Sequence, residues 1–215
     1  MDLLPVFLKL GGRRVLLVGG GTVGAAKLDV LRRAGADVTV VAPAVHPSIR
    51  AAGVRVQARA FAESDLDAVW FVVAAATPEV NRAVSRAAER RRIFVNAVDD
   101  PPNASAYLGG VVRRSGVTVA ISTNGDAPAL AGLLREGLDA LLPTDLDDWI
   151  ETARCLRPEW KARNTPMPER RPQLLEALIG LYEHTELPRR SPYHADRAKA
   201  GAWGRPGVPR ERSNK

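Results

Sequence analysis

Short apolar runs alternate with helical patterns through the first hundred positions. Val15-Leu16-Leu17-Val18 is a run of strand length, and residues 23–33 follow as a helix. Val23, Ala26, Val30 and Leu31 are predicted on one face of that helix. Asp37-Val38-Thr39-Val40-Val41 predicts a second strand, with Asp37 in the turn before it, and residues 55–58 predict a short third strand. Residues 68–75, AVWFVVAA, are apolar without a break, the pattern of a parallel strand covered on both faces. Thr77 stands where a helix cap is needed, with Pro78 at the first helical position, and that helix runs to about Arg91. Arg90, Arg91 and Arg92 complement the dipole at its end. Residues 93–98 supply the next strand. This alternation predicts an α/β fold with a Rossmann-like, doubly wound parallel sheet.

The pattern changes near Asp100. Residues 107–113 and 117–122 read as two extended segments around Arg114-Ser115-Gly116, which predicts a hairpin. Three helices are expected after it, over 128–142, 145–156 and 172–184. The first has leucines at 130, 133, 134, 138, 141 and 142, a stripe too broad to leave in water. A dimer interface or a small helical domain would use it. The expected organisation is a nucleotide-binding domain over 1–105, a hairpin segment over 106–127, a helical domain over 128–185 and a tail over 186–215.

The junction between the first strand and helix is the most specific local feature. It reads VGGGTVG, with Gly19, Gly21 and Gly24 spaced G-x-G-x-x-G. The first glycine makes a tight turn and the second lets a diphosphate approach the backbone. The third brings helix and strand together, and the helix N-terminus offers its N–H groups to the anion. The acid that often holds the ribose hydroxyls after the second strand is missing, because that end reads Val41-Ala42-Pro43-Ala44. Spacing alone therefore leaves NAD and NADP both open.

Composition narrows the setting. The chain has 215 residues, 46% of them hydrophobic, enough for one good core and a smaller second unit. No apolar run approaches the roughly 18 residues of a membrane span. Cys155 is the only cysteine, so neither an internal disulfide nor a cysteine metal site can form, and a cytoplasmic setting is expected. The formal charge of +7 is concentrated at the end: residues 186–215 hold eight Lys/Arg against three acids, a net of +5. Rich in Pro and Gly, that tail reads as a disordered, dispensable basic extension, and no base-reading motif accompanies it. Neither a nucleic-acid nor a membrane partner is expected.

Taken together, LLPVFLKL, VLLVGGGTVGAAKLDVLRRAGADVTVVAP, AATPEVNRAVSRAAERRRIFVNAVDDP and AISTNGDAPALAGLLREGLDALLP resemble the precorrin-2 dehydrogenase/sirohydrochlorin ferrochelatase family, the dehydrogenase–chelatase part of siroheme synthase. The resemblance covers residues 2 to about 145. It implies NAD-dependent oxidation of precorrin-2 to sirohydrochlorin, with Fe²⁺ insertion to siroheme in bifunctional members, and a homodimer built from the helical region. It places the catalytic aspartate on Asp99 and the cofactor contacts on Gly19, Gly21, Thr22, Val23, Gly24, Pro43 and Ala44. The chain departs from the family at Ala26, Asp126 and Ala127.

The residues themselves allow more than one reading. A carboxylate at Asp99 could take the proton lost on oxidation and those lost on metal insertion. Asp99 and Asp100 could equally just initiate the turn before Pro101-Pro102. Lys27, Arg113, Arg114 and Arg135 are candidates to pair with substrate carboxylates. His46, His184 and His194 are scattered, with His46 expected in a loop, so no resident metal site is expected. The alternative to an enzyme is a non-catalytic NAD-sensing module, which would bind NAD(H) without turnover.

Overall fold

The computed structural model describes residues 3–183. The tail expected over 186–215, with His184 and His194, lies outside the described residues. The chain divides into two compact units, Met1–Pro143 and Thr144–Lys215.

The first unit is built on five parallel strands: β1 (Arg14–Val18), β2 (Asp37–Val41), β3 (Arg55–Gln57), β4 (Phe71–Ala74) and β5 (Phe94–Ala97), in the order β3-β2-β1-β4-β5. Helices α1 (Thr22–Arg33), α2 (Pro47–Ala51) and α3 (Pro78–Arg90) make three of the four crossovers, and a 3₁₀ turn over Glu63–Leu66 lies in the connection from β3 to β4. Strand residues alternate between the two faces. Val15, Leu17, Val38, Val40 and Val73 pack with Leu28 and Leu31 of α1 and Ile49 of α2. Leu16, Val18, Val72, Ala74 and Val95 pack with Val84, Ala87 and Ala88 of α3. Strand order reverses at β1, and a sheet of this kind takes its ligand beyond the carboxyl ends of the strands at that switch.

Several local expectations are corrected. The buried residues of α1 are Gly24, Leu28 and Leu31, spaced i, i+4, i+7, whereas Val23 is 45% exposed at the helix start. Asp37 belongs to β2 rather than to the turn before it, and its two oxygens hold Arg55 of β3 at 2.6 Å. His46 does lie in the loop before α2, as expected, and caps that helix: its Nδ1 accepts from the Ser48 N–H at 3.3 Å.

Beyond β5, strands β6 (Gly110–Arg114) and β7 (Val117–Ile121) form an antiparallel hairpin. Ser115 and Gly116 both have positive φ, 53° and 81°, as a two-residue hairpin turn of matching twist requires. Helix α4 (Pro128–Leu141) packs on this hairpin and belongs to the first unit. Arg114 pins the two together, donating to the carbonyls of Leu142 at 3.0 Å and Asp139 at 2.9 Å, and to Asp139 Oδ1 at 2.8 Å.

The second unit contains α5 (Leu146–Ala162) and α6 (Met167–Glu183). Both are longer than expected, because α5 continues through Pro158 and α6 begins before Pro172. The helices are tied at both ends: Trp160 Nε1 donates to Gln173 Oε1 at 2.7 Å, and Trp149 Nε1 donates to Tyr182 Oη at 2.6 Å. Tyr182 in turn donates to Asp145, and that hydrogen bond holds the phenol above its usual pKa.

Candidate active site

The glycine turn is shaped by close backbone approaches. Gly19 has φ +119°, and a Cβ there would stand 2.1 Å from the Ala75 carbonyl oxygen. A Cβ at Gly24 would stand 2.5 Å from the Gly19 carbonyl oxygen, so the third glycine is what lets α1 pack against the turn. Gly20 is equally confined, since a Cβ would meet Ala44 O at 2.0 Å, and its own carbonyl accepts from the His46 N–H at 2.7 Å. That contact brings the exposed Pro43 and Ala44 segment beside the turn.

Gly21 is the exception. A Cβ there would meet nothing within 4 Å, and Gly21 caps α1 with no side-chain hydrogen bond and no acid in the first turn. The first N–H groups of α1, at Thr22, Val23 and Gly24, therefore face an open space without a competing anion. This cradle fits a dinucleotide diphosphate, which Gly19, Gly21 and Gly24 would admit and the helix start would hold. Val23 leaves apolar surface exposed at the same helix start.

A cleft of about 310 Å³ opens past the carboxyl end of β5. Lys27 of α1, Asn96 and Asp99, Tyr107, Thr123 and Arg135 of α4 line it. Asp99 lies beyond the end of β5 rather than within the strand, at φ +55°. An aspartate tolerates that left-handed conformation better than most side chains, though it still costs about 1–3 kcal/mol. Its carboxylate is exposed and has no hydrogen-bond or ion-pair partner among the described residues. Asp100 differs, since both its oxygens accept from Asn103 Nδ2 at 2.9 Å. The pair DD thus divides into one engaged and one open carboxylate.

Of the four basic candidates, Lys27 and Arg135 reach the cleft. Arg114 is engaged in holding α4, and Arg113 is an exposed hairpin residue outside the cleft lining. Asn96 and Tyr107 are additions that the sequence reading missed. Asn96 is 6% exposed and donates through Nδ2 to the Ala106 carbonyl at 3.0 Å, but its Oδ1 is buried without a partner. An orphaned buried acceptor is a costly arrangement. The available signal was a lone polar residue inside the apolar run of β5. No group of three or more His, Cys, Asp or Glu among the described residues could hold a metal ion.

The switch-point turn and the adjacent cleft define a dinucleotide-binding protein with room for a second ligand beside the cofactor. The family described as "Putative NAD(P)-binding" matches residues 6–110, and "Sirohaem biosynthesis protein central" matches residues 114–141. Siroheme synthase 3 of Aeromonas hydrophila is 45% identical over 84% of this chain and 39% of its own length. Siroheme synthase of Zymomonas mobilis is 37% identical over 86% of this chain and 40% of its own. Among solved structures, SirC, a precorrin-2 dehydrogenase, matches with TM-score 0.63 and 28% identity over 81% of this chain and 88% of that one. Together these matches put residues 6–141 among sirohaem biosynthesis proteins that carry an NAD(P)-binding domain. It spans about two fifths of the length of the curated relatives it matches. No helix among the described residues is long and apolar enough to cross a membrane.

Proposed function

We propose that this chain oxidises precorrin-2 to sirohydrochlorin with NAD⁺, in siroheme biosynthesis. The observation that carries the reading is the partnerless carboxylate of Asp99 in a cleft flanked by Lys27 and Arg135, at the carboxyl edge of the sheet that also bears the glycine turn. The family relatives named for this pathway and for precorrin-2 dehydrogenation support the substrate.

NAD⁺ bound along Gly19, Gly21, Thr22, Val23, Gly24, Pro43 and Ala44 supplies the acceptor for the hydride. Asp99 takes the accompanying proton from the tetrapyrrole as a general base, and solvent at the exposed carboxylate then carries it away. Lys27 and Arg135 pair with peripheral carboxylates of the substrate and fix which carbon faces the sheet edge. Fe²⁺ insertion into sirohydrochlorin is a second reaction this base can serve, because it too requires protons to leave pyrrole nitrogens.

A second copy of this chain is the proposed partner. Leu130, Leu133, Leu134, Leu138 and Leu141 of α4 are 38–69% exposed, an apolar stripe on a helix whose only buried residue is Ala131.

Asp99→Asn tests the mechanism. Asparagine keeps the size and tolerates φ +55°, but removes the base. With precorrin-2 and NAD⁺ under anaerobic conditions, oxidation should fall by roughly 10²–10⁴-fold while NAD⁺ affinity persists. Adding Fe²⁺ with sirohydrochlorin reads the second reaction in the same variant. Binding of NAD⁺ without any turnover by the unmodified chain would instead favour a sensing module.

A further inference from the structure

The turn that carries Asp99 is held from two sides by groups that take no part in moving a proton. Residues 104–107 run back along β5. The Ser105 and Ala106 N–H groups both donate to the Val95 carbonyl, at 2.9 and 3.0 Å, and the Val95 N–H donates to Ser105 Oγ at 2.9 Å. With Asn96 Nδ2 on the Ala106 carbonyl, this anchors the backbone on which Tyr107 stands to β5, the edge strand of the sheet. From that base Tyr107 Oη reaches back and donates to the Pro101 carbonyl at 3.3 Å, two residues beyond Asp99. The other side is closed by Asn103, whose Nδ2 bonds both Asp100 oxygens and whose N–H donates to the Asp100 carbonyl at 3.1 Å. The Ser122–Pro128 loop leans on the same residues: a Cβ at Gly125 would stand 3.0 Å from Pro101 Cγ and 3.3 Å from Tyr107 Cε1.

We propose that Tyr107 and Asn103 are positioning residues that hold the Asp99 carboxylate in the cleft, and this rests on the reading of Asp99 as the base. Asp99 has no side-chain bond of its own and a backbone in the sparsely populated left-handed region. Its direction is therefore set by the neighbouring residues. The Tyr107 bond fixes the turn from the sheet side, and the Asn103 clamp fixes the residue next to Asp99. Losing either lets the turn relax and swings the carboxylate away from the donor it must meet.

The test uses the full chain with Tyr107→Phe and Asn103→Ala, each alone and each combined with Asp99→Asn. Each single variant should lower kcat for precorrin-2 oxidation by about tenfold or more, towards the roughly 10²-fold that a 1 Å misplacement costs. KM for precorrin-2, NAD⁺ affinity by calorimetry and the thermal midpoint should stay unchanged. In the Asp99→Asn background the same substitutions should do nothing further, because a residue acting through Asp99 has nothing left to position. Unchanged kcat in both single variants overturns the proposal. So does an equal loss with and without Asp99, or a rise in KM at constant kcat, which would mean contact with the substrate itself. Should Asn103→Ala lose NAD⁺ binding through misfolding, Tyr107→Phe, which removes a single oxygen, decides the matter. A wild-type rate in Asp99→Asn alone would refute the base, whereas loss there with unaffected tether variants refutes only the positioning.

Discussion

Gly19 and Gly21 stand two positions apart in one turn, yet substitutions at them should fail in opposite ways. At Gly19 a methyl group would meet the Ala75 carbonyl oxygen at 2.1 Å and its carbon at 2.5 Å, with φ at +119°. The atoms met are backbone, so they cannot rotate aside. Forcing an L side chain into that conformation costs about 1–3 kcal/mol, and overpacking adds about 1–3 kcal/mol more. Each kcal/mol lowers the thermal midpoint by roughly 2–4 °C in a chain of this size. Gly19→Ala should therefore unfold early. At Gly21 the backbone has φ −77° and ψ −171°, which any residue adopts, and a Cβ meets nothing within 4 Å. Gly21→Val should cost about 1 kcal/mol at most, the difference between a good and a poor N-cap. Its methyl groups would instead occupy the space proposed for the diphosphate. Displacing the diphosphate from one charge-assisted hydrogen bond, worth about 1.5–3 kcal/mol, is a loss of tenfold or more in affinity. Differential scanning fluorimetry with NAD⁺ titration by calorimetry separates the two outcomes. Unchanged NAD⁺ affinity in a folded Gly21→Val variant would refute placement of the cofactor here. Equal destabilisation of the two variants would refute the steric argument.

Other consequences can be checked directly. Lys27→Ala and Arg135→Ala should each raise KM for precorrin-2 by roughly tenfold or more, since each removes a charged hydrogen bond, with NAD⁺ affinity unaffected; unchanged KM in both would remove them from substrate binding. Replacing Leu134 and Leu138, 45% and 38% exposed, with serine should give monomers in light scattering, and an intact dimer would exclude that stripe from the interface. Asp65, whose side chain is 5% exposed, is held below the usual carboxylate range chiefly by the Arg59 guanidinium at 2.5 Å. Its folded pKa is lowered, so its contribution is present above the unfolded value of about 3.9 and is lost as pH falls through the folded one. Asp65→Asn should flatten the acid limb of urea stability there, and an unaltered limb would contradict the pairing.

Much of the first unit was legible because its signals are local. An apolar run entering G-x-G-x-x-G and then a helical pattern specifies strand, turn and helix within about thirty residues, and Thr77-Pro78 announces α3 in the same way. Ends were less legible where two residues met the same rule. Pro168 and Pro172 both suit a helix start, and the bond from Arg170 to the Thr165 carbonyl lies at the earlier beginning. The apolar face predicted for α1 went astray for a related reason: Val23 meets the periodicity, yet it sits at the open helix start where no core covers it.

The site divides along the same line. The glycines could be named from motif spacing, a property of neighbouring residues, whereas Asp99 was singled out by the family resemblance, its own surroundings reading equally as a turn before Pro101-Pro102. Which carboxylate of the DD pair stays open depended on Asn103, and which arginine faces the cleft depended on an acid and carbonyls at the far end of α4. The orphaned Asn96 oxygen emerged only once the strand was buried. Periodicity and turn rules act over a few residues, so the sequence by itself determined the elements and their order. Burial and side-chain pairing act between segments that only folding brings together, and those the tertiary structure decided.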